Sequence, residues 1–177
     1  MLKSLALLTL MTFPPQITQA DMLFEPFDDT AAQRWTYVAD GVMGGVSQGQ
    51  AQIADGAVRR TGEVSLENNG GFIQVRNRFD TAWPATATAL TIDAKGNGET
   101  YYVFLRTKGL ARVWYSYRFA FDTRENWSTI EMPFAAFKPS HSGMPATFTP
   151  DEVISIGLVA YGKAHSADLT VREIALN

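Results

Sequence analysis

Cysteine is absent from all 177 residues. Its absence removes disulfides, thiolate nucleophiles, zinc–thiolate sites and a lipoprotein anchor together. The fold must then be stabilised by its core alone, and nothing follows about compartment, because exported proteins need not carry disulfides. Histidine is nearly as scarce: His141 and His165 stand apart, in no metal-binding spacing with each other. Charge is thin, with 19% charged residues and a formal net charge of −3, and the nearest thing to a basic run is the pair Arg59-Arg60. Neutralising phosphates takes several clustered cations, so nucleic acid is not an expected partner. Linker-like, low-complexity and repeated segments are also missing, which leaves a one-domain length and no boundary to place.

What is present begins at the N-terminus. Lys3 is followed by an apolar run over 5–13, a break at Pro14-Pro15, and small residues at Thr18 and Ala20 before Asp21. That is the order of a secretory signal peptide, and the run is too short to span a bilayer, which takes roughly 20 apolar residues. Residues 1–20 are therefore expected to be removed, leaving 21–177 as a periplasmic or secreted domain with no transmembrane anchor.

The rest of the chain, with 46% hydrophobic and 12% aromatic residues, reads as short strands between turn signals. Expected strands are 23–27, 52–53, 57–61, 72–76, 89–94, 101–107, 113–121, 128–132, 155–161 and 169–174. Asp55-Gly56, Asn69-Gly70-Gly71, Gly96-Asn97-Gly98 and Lys108-Gly109 punctuate them. This spacing predicts an all-β sandwich or barrel. Helix is scarce: a turn or two over 29–34, and one turn where Thr149-Pro150-Asp151-Glu152 makes a capping box with Pro at its start.

Two runs alternate with period two. Tyr101, Val103 and Leu105 share one face, and Tyr102, Phe104 and Arg106 the other. Val113, Tyr115, Tyr117, Phe119 and Phe121 likewise oppose Trp114, Ser116, Arg118 and Ala120. Joined by a hairpin over 108–112, the two would gather Tyr102, Arg106, Trp114 and Arg118 into an aromatic and cationic patch. Flat aromatic faces stack on sugars and Arg donates in a fixed fork, so the patch is a candidate binding surface. A cross-strand arrangement on a solvent-facing sheet is the plainer alternative.

Two loops stand out. Asp40-Gly41-Val42-Met43-Gly44-Gly45-Val46-Ser47 has three glycines in five positions, which calls for positive φ or close backbone approach. Its spacing is not that of a phosphate loop. In Ser65-Leu66-Glu67-Asn68-Asn69-Gly70-Gly71-Phe72, Asn and Gly tolerate left-handed backbone. Either this is a plain turn, or Asp40, Glu67, Asn68 and Asn69 gather at one edge with Met43. Such oxygens are what Ca²⁺ takes, but no EF-hand spacing is present and no cofactor is expected. A carboxylate pair of the glycosidase kind, Asp40 with Glu67, is set against Asp40 capping turn amides, and the capping role is expected. No hydrolase triad is expected, and the chain is read as a binder and not an enzyme.

The two loops, with Trp35, Val75-Arg76, Tyr101 to Thr107, Trp127, Met132-Pro133-Phe134, Phe137 and Ile156-Gly157-Leu158, closely resemble the complex I intermediate-associated protein 30 (CIA30) family over nearly the whole mature chain. The resemblance implies a galactose-binding-like jelly-roll β-sandwich. It implies a chaperone-like protein partner, as in the mitochondrial members that assemble respiratory complex I. Carbohydrate binding on the same sandwich is the alternative. The family's Arg-Gly pair after the Pro-Phe segment is replaced here by Ser142-Gly143. Export also faces this chain away from the matrix-side compartment in which those assembly factors work.

Overall fold

Period-two alternation builds the molecule. A computed structural model describes residues 22–177; the expected signal peptide lies outside them. The strands are β1 (Met22–Glu25), β2 (Trp35–Ala39), β3 (Gln48–Ala54), β4 (Ala57–Val64), β5 (Phe72–Arg78) and β6 (Ala89–Gly96). They continue with β7 (Thr100–Thr107), β8 (Tyr117–Asp122), β9 (Ser128–Pro133), β10 (Lys138–Pro139), β11 (Val153–Tyr161) and β12 (His165–Leu176). One sheet runs β3-β4-β12-β6-β9 with β1 also on β12; the other runs β10-β8-β7-β11-β5-β2. Every pair is antiparallel.

The core lies between the sheets. Tyr101, Val103 and Leu105 of β7, Ile73 and Val75 of β5, and Ile156 and Leu158 of β11 face Leu90, Ile92, Leu169 and Val171 of the opposite sheet. These burials supply most of the stabilisation, at about 25 cal/mol per Å² of apolar surface. At one end of the sandwich Phe24 meets Phe79 edge-on, and Phe79, Trp83 and Phe134 stack in turn, at 5.0–5.9 Å, an arrangement that adds to simple burial.

Two of the three buried charged residues among those described are treated differently. Glu25 accepts from the Phe27 amide, Trp35 Nε1 and Arg34, so its carboxylate is fully engaged. Arg60, on the inward face of β4, is 1% exposed, and none of its three guanidinium nitrogens meets a hydrogen-bond partner in the protein. It lies 5.2 Å from the Tyr101 ring centroid. Burial pushes its pKa down to about 10.

Most sequence expectations are met within a few residues, including single 3₁₀ turns at Ala31–Gln33 and Pro150–Glu152, the latter with both arms of its capping box formed. Two strands were not expected: β2, whose burial does not alternate, and the two-residue β10. The expected strand over 113–121 is corrected. Only Tyr117–Asp122 is strand, with Leu105 opposite Tyr117. The connection is a nine-residue loop because the Lys108 amide bonds to Glu152 O, and Tyr115 turns back so that its amide bonds to Arg112 O. Alternating residues at 113–116 imitate a strand that these bonds prevent.

Candidate binding groove

The outward face of the β10–β2 sheet is hollowed along β11. Its outward residues Ser155 and Gly157 are small, while the flanking strands carry long side chains. Across the sheet one row reads Arg78, Ser155, Arg106; the next reads Arg76, Gly157, Phe104, Arg118. Further along, Gln74, Val159 and Tyr102 form a row, then Phe72 and Tyr161. A small-residue strand between two large-residue strands makes a slot, here a groove of ≈ 920 Å³, near the top of the usual ligand-pocket range of about 300–1,000 Å³.

The rims are the two glycine-rich loops at one end and the 108–116 loop at the other. Val42 and Met43 stand 74% and 60% exposed on one rim, Val113 and Trp114 76% and 54% on the other. Asn69 and Gly70 close the near end, and His141, stacked on Tyr115 at 4.6 Å, helps form the far wall.

Asp40 organises the near end. It is fully buried. Its carboxylate accepts from the Ser47 amide at 3.0 Å, the Ser47 hydroxyl, the Gly71 amide at 2.6 Å and the Phe72 amide at 3.2 Å. Burial pushes its carboxyl up. The Ser47 hydroxyl and the Gly71, Phe72 and Ser47 amides together outweigh that and hold it below the ordinary aspartate value. Ser47 in turn accepts from the Ser65 amide, so one side chain ties both loops together. The glycines follow from this knot. A Cβ on Gly45 or Gly70 would fall 2.4 Å from Asp40 side-chain atoms, and Gly44 has φ +90°.

The candidate residues read from the sequence divide accordingly. Arg106, Arg118, Trp114, Met43 and Asn69 line the groove. Asp40 lies beneath its edge as the expected amide cap. Glu67 and Asn68 are exposed on the same loop, with Asn68 and Asn69 at φ 54° and 58°, the left-handed backbone expected there. Tyr102 lies one row away, its ring edge-on to Phe104 and Tyr161. The sequence reading missed Arg76, Arg78, Phe104 and Tyr161. Alternation of Phe72, Gln74, Arg76 and Arg78 against Ile73 and Val75 could have found the first two.

Electrostatically the groove is one-signed. Arg118 sits 4.4 Å from the Phe104 ring centroid and 4.7 Å from that of Tyr161, held by cation–π attraction. Arg106 Nε donates to Tyr115 O, and Arg118 Nε to Ser116 Oγ. Neither they nor Arg76 and Arg78 form an ion pair among the described residues, and no carboxylate lines the groove. Burial, with repulsion from Arg78, lowers the pKa of Arg76; burial, with Arg78 and Arg76, lowers that of Arg106.

Catalytic machinery does not assemble here. Gly45-Val46-Ser47-Gln48-Gly49 does have the G-x-S-x-G spacing of a hydrolase nucleophile. Ser47 is nevertheless buried, leads into β3 and not into a helix, and is bonded to Asp40 and Ser65 with no histidine on it. His141 Nδ1 bonds the adjacent Ser140 hydroxyl and His165 Nδ1 faces Lys163 O. Among the described residues neither ring hydrogen-bonds a carboxylate, as a triad requires. Among the described residues no three His, Asp or Glu cluster as a metal site would need, and no helix is long and apolar enough to cross a membrane.

Two facing antiparallel sheets make this an all-β jelly-roll sandwich, the fold of the carbohydrate-binding modules on which it superposes. It superposes with a TM-score of 0.74 on the family 11 carbohydrate-binding module of the cellulosomal cellulase Lic26A-Cel5E of Clostridium thermocellum, at 16% identity, over 90% of this chain and 95% of that one. The Clostridium thermocellum module in complex with a β-1,3-1,4-mixed-linked tetrasaccharide gives 0.73, at 16% identity, over 88% and 94%. Part of an agarase, AgWH50C, gives 0.64 at 8% identity, over 90% of this chain and 24% of that one. No curated protein sequence matches the chain. The chain belongs to the complex I intermediate-associated protein 30 (CIA30) family, whose model matches residues 24–171. Family and fold together support a non-catalytic binding module.

Proposed function

We propose that this is an exported, non-catalytic module that holds a segment of a polypeptide partner in the groove along β11. The carrying observation is the pair of exposed apolar rims, Val42–Met43 and Val113–Trp114, standing over an open slot. Exposed apolar clusters of this kind mark protein contacts, and methionine adapts to irregular partners. The assembly role of mitochondrial family members supports a protein partner. The signal-like N-terminus points to an exported or membrane-bound one, on the other side of the membrane from matrix-side complex I assembly.

Carbohydrate is the second reading, favoured by Trp114 and by the tetrasaccharide complex of a structural neighbour. The groove suits neutral sugars less well. Sugar hydroxyls donate as well as accept, and the lining offers four arginine donors but no carboxylate acceptor.

A photo-crosslinking side chain at Val113 tests the proposal, with Thr129 of β9, on the other sheet, as control. The expected result is a set of crosslinks from Val113 that map to one segment of one polypeptide and vanish with Gly157→Leu. That variant fills the slot without backbone strain, since its Cβ meets only the end of Gln74 at 2.8 Å and Val159 at 3.5 Å. Crosslinks equal to those from Thr129, or saturable groove binding of a neutral oligosaccharide, would overturn it.

A further inference from the structure

The groove leaves a charge problem that the protein does not solve itself. Four guanidinium groups stand on two successive rows, in a chain of net negative charge. Three arginines elsewhere find carboxylates: Arg34 with Glu25 and Asp28, Arg59 with Asp168, Arg172 with Asp93. Among the described residues the four arginine side chains make only the single Nε hydrogen bonds of Arg106 and Arg118, which leave the outer nitrogens of both forks free to donate. Like charges are crowded in a partly buried slot, and burial there strengthens attraction to an incoming anion.

The spacing restricts that anion. Arg78 and Arg106 flank Ser155 on one row, and Arg76 and Arg118 lie on the row of Gly157. Rows two residues apart along a strand are about 6.7 Å apart. An extended peptide repeats its side chains on one face at that interval. Toward the other end the lining turns apolar, with Phe72, Tyr161, Val38 and Met43.

Resting on the reading of the groove as a polypeptide site, we propose that its occupant is an extended acidic segment. Carboxylates at alternate positions meet the two arginine rows, and an apolar side chain follows toward Met43. Two features favour this over an acidic glycan or an anionic lipid. Three of the four exposed rim side chains, Val42, Met43 and Val113, offer no flat face for a sugar, Trp114 being the exception. The slot is open along its length, whereas an acyl chain calls for an enclosed tunnel.

The test measures fluorescence anisotropy of the mature protein with a fluorescein-labelled decapeptide whose Glu residues alternate with Thr and lead into two Leu. A copy with Gln for every Glu, polygalacturonate and a neutral mixed-linkage glucan oligosaccharide serve as competitors. The expected result is at least tenfold tighter binding of the Glu peptide than of the Gln peptide. Binding should weaken as salt rises, and fall at least tenfold in Arg76→Gln/Arg106→Gln with an unchanged melting temperature. Arg59→Gln, on the opposite sheet, should leave it unaltered. Equal binding of both peptides, abolished by Gly157→Leu, would overturn the charge inference while supporting the polypeptide groove. Binding of either polysaccharide with neither peptide, or no binding of any probe, would overturn both.

Discussion

The two outer faces of this sandwich use the same side chains to opposite ends. On the β3–β9 sheet Arg59 grips Asp168 through two nitrogens at 3.0 and 2.7 Å, Arg172 bonds Asp93 at 2.5 Å, and Lys95 and Arg172 flank the Trp127 ring at 5.0 and 4.5 Å. That face also has a groove, more open and ≈ 680 Å³, but both of these arginines are paired with carboxylates and only Lys95 rests on a ring alone. On the β10–β2 sheet arginine and aromatic residues stand together with no acid among them. A face whose charges are answered across neighbouring strands is finished. One whose cations are packed on rings and small residues is built to receive something. The presence of Arg and Trp does not mark the site; the absence of their carboxylates does.

The largest expected effect comes from a charge already answered by backbone. Asp40→Ala would strand the amides of Ser47, Gly71 and Phe72 and release both loops at the groove's near end. Charge-assisted hydrogen bonds contribute about 1.5–3 kcal/mol each, and the losses overlap, so a drop of about 3 kcal/mol in urea unfolding is expected. The folded carboxyl lies below its unfolded value of about 3.9. Its contribution is therefore fully present above that pH and lost as pH falls through the folded value. Asp40→Asn should lower stability at pH 7 and flatten the decline of stability below about pH 4. An unchanged acid limb would show that Asp40 is not the group responsible.

Next in size is the substitution that makes the groove resemble the other face. Ser155→Asp puts a carboxylate between Arg78 and Arg106, giving both an internal partner. Binding of the acidic peptide should fall by more than tenfold while the melting temperature holds or rises. A variant that binds as well as the parent would show that the arginines do not meet the ligand.

How much of this was legible follows the same division. The inward faces of β7, β5 and β11 were readable because apolar side chains must alternate to reach a core. The Asp40 loop was readable as a close backbone approach because nothing else calls for that many glycines. The β7–β8 connection misled, because alternation at 113–116 matches a strand while the bonds that divert the chain, Lys108 to Glu152 O and Arg106 to Tyr115 O, join residues distant in sequence or in the turn. Trp114 consequently moved from the sheet face to a rim. Arg76 and Arg78 were not read as site residues because the groove is defined by the small residues of β11 between β5 and β7, and strand order is not written in local pattern.

Arg60 sharpens the contrast from inside the core. It is a buried cation with no protein acceptor, unlike Glu25. Replacing an uncompensated buried charge by an apolar side chain of similar length removes a desolvation penalty. Arg60→Met is expected to leave stability unchanged or raise it by up to about 2 kcal/mol. Because the folded pKa is lowered to about 10, the penalty applies in full below that pH and fades as pH rises toward the unfolded value. The advantage of the Met variant should shrink in the same window. A strongly destabilised variant would show that the guanidinium is satisfied in solution.

The smallest effect is expected where the surface is complete. Arg59 is 58% and Asp168 39% exposed at their side chains. An exposed pair, even a two-pronged one, gains little over its solvated ions, typically under about 1 kcal/mol and less in salt. Arg59→Gln should therefore shift urea unfolding by less than that and leave peptide binding unaltered. The reason is the comparison itself. Losing Arg59 releases Asp168 to water that can solvate it, whereas losing Arg76 or Arg106 removes a donor held for a ligand. If Arg59→Gln impaired binding as much as Arg76→Gln, the effect would be one of overall charge and not of the groove, and the distinction between the two faces would fail.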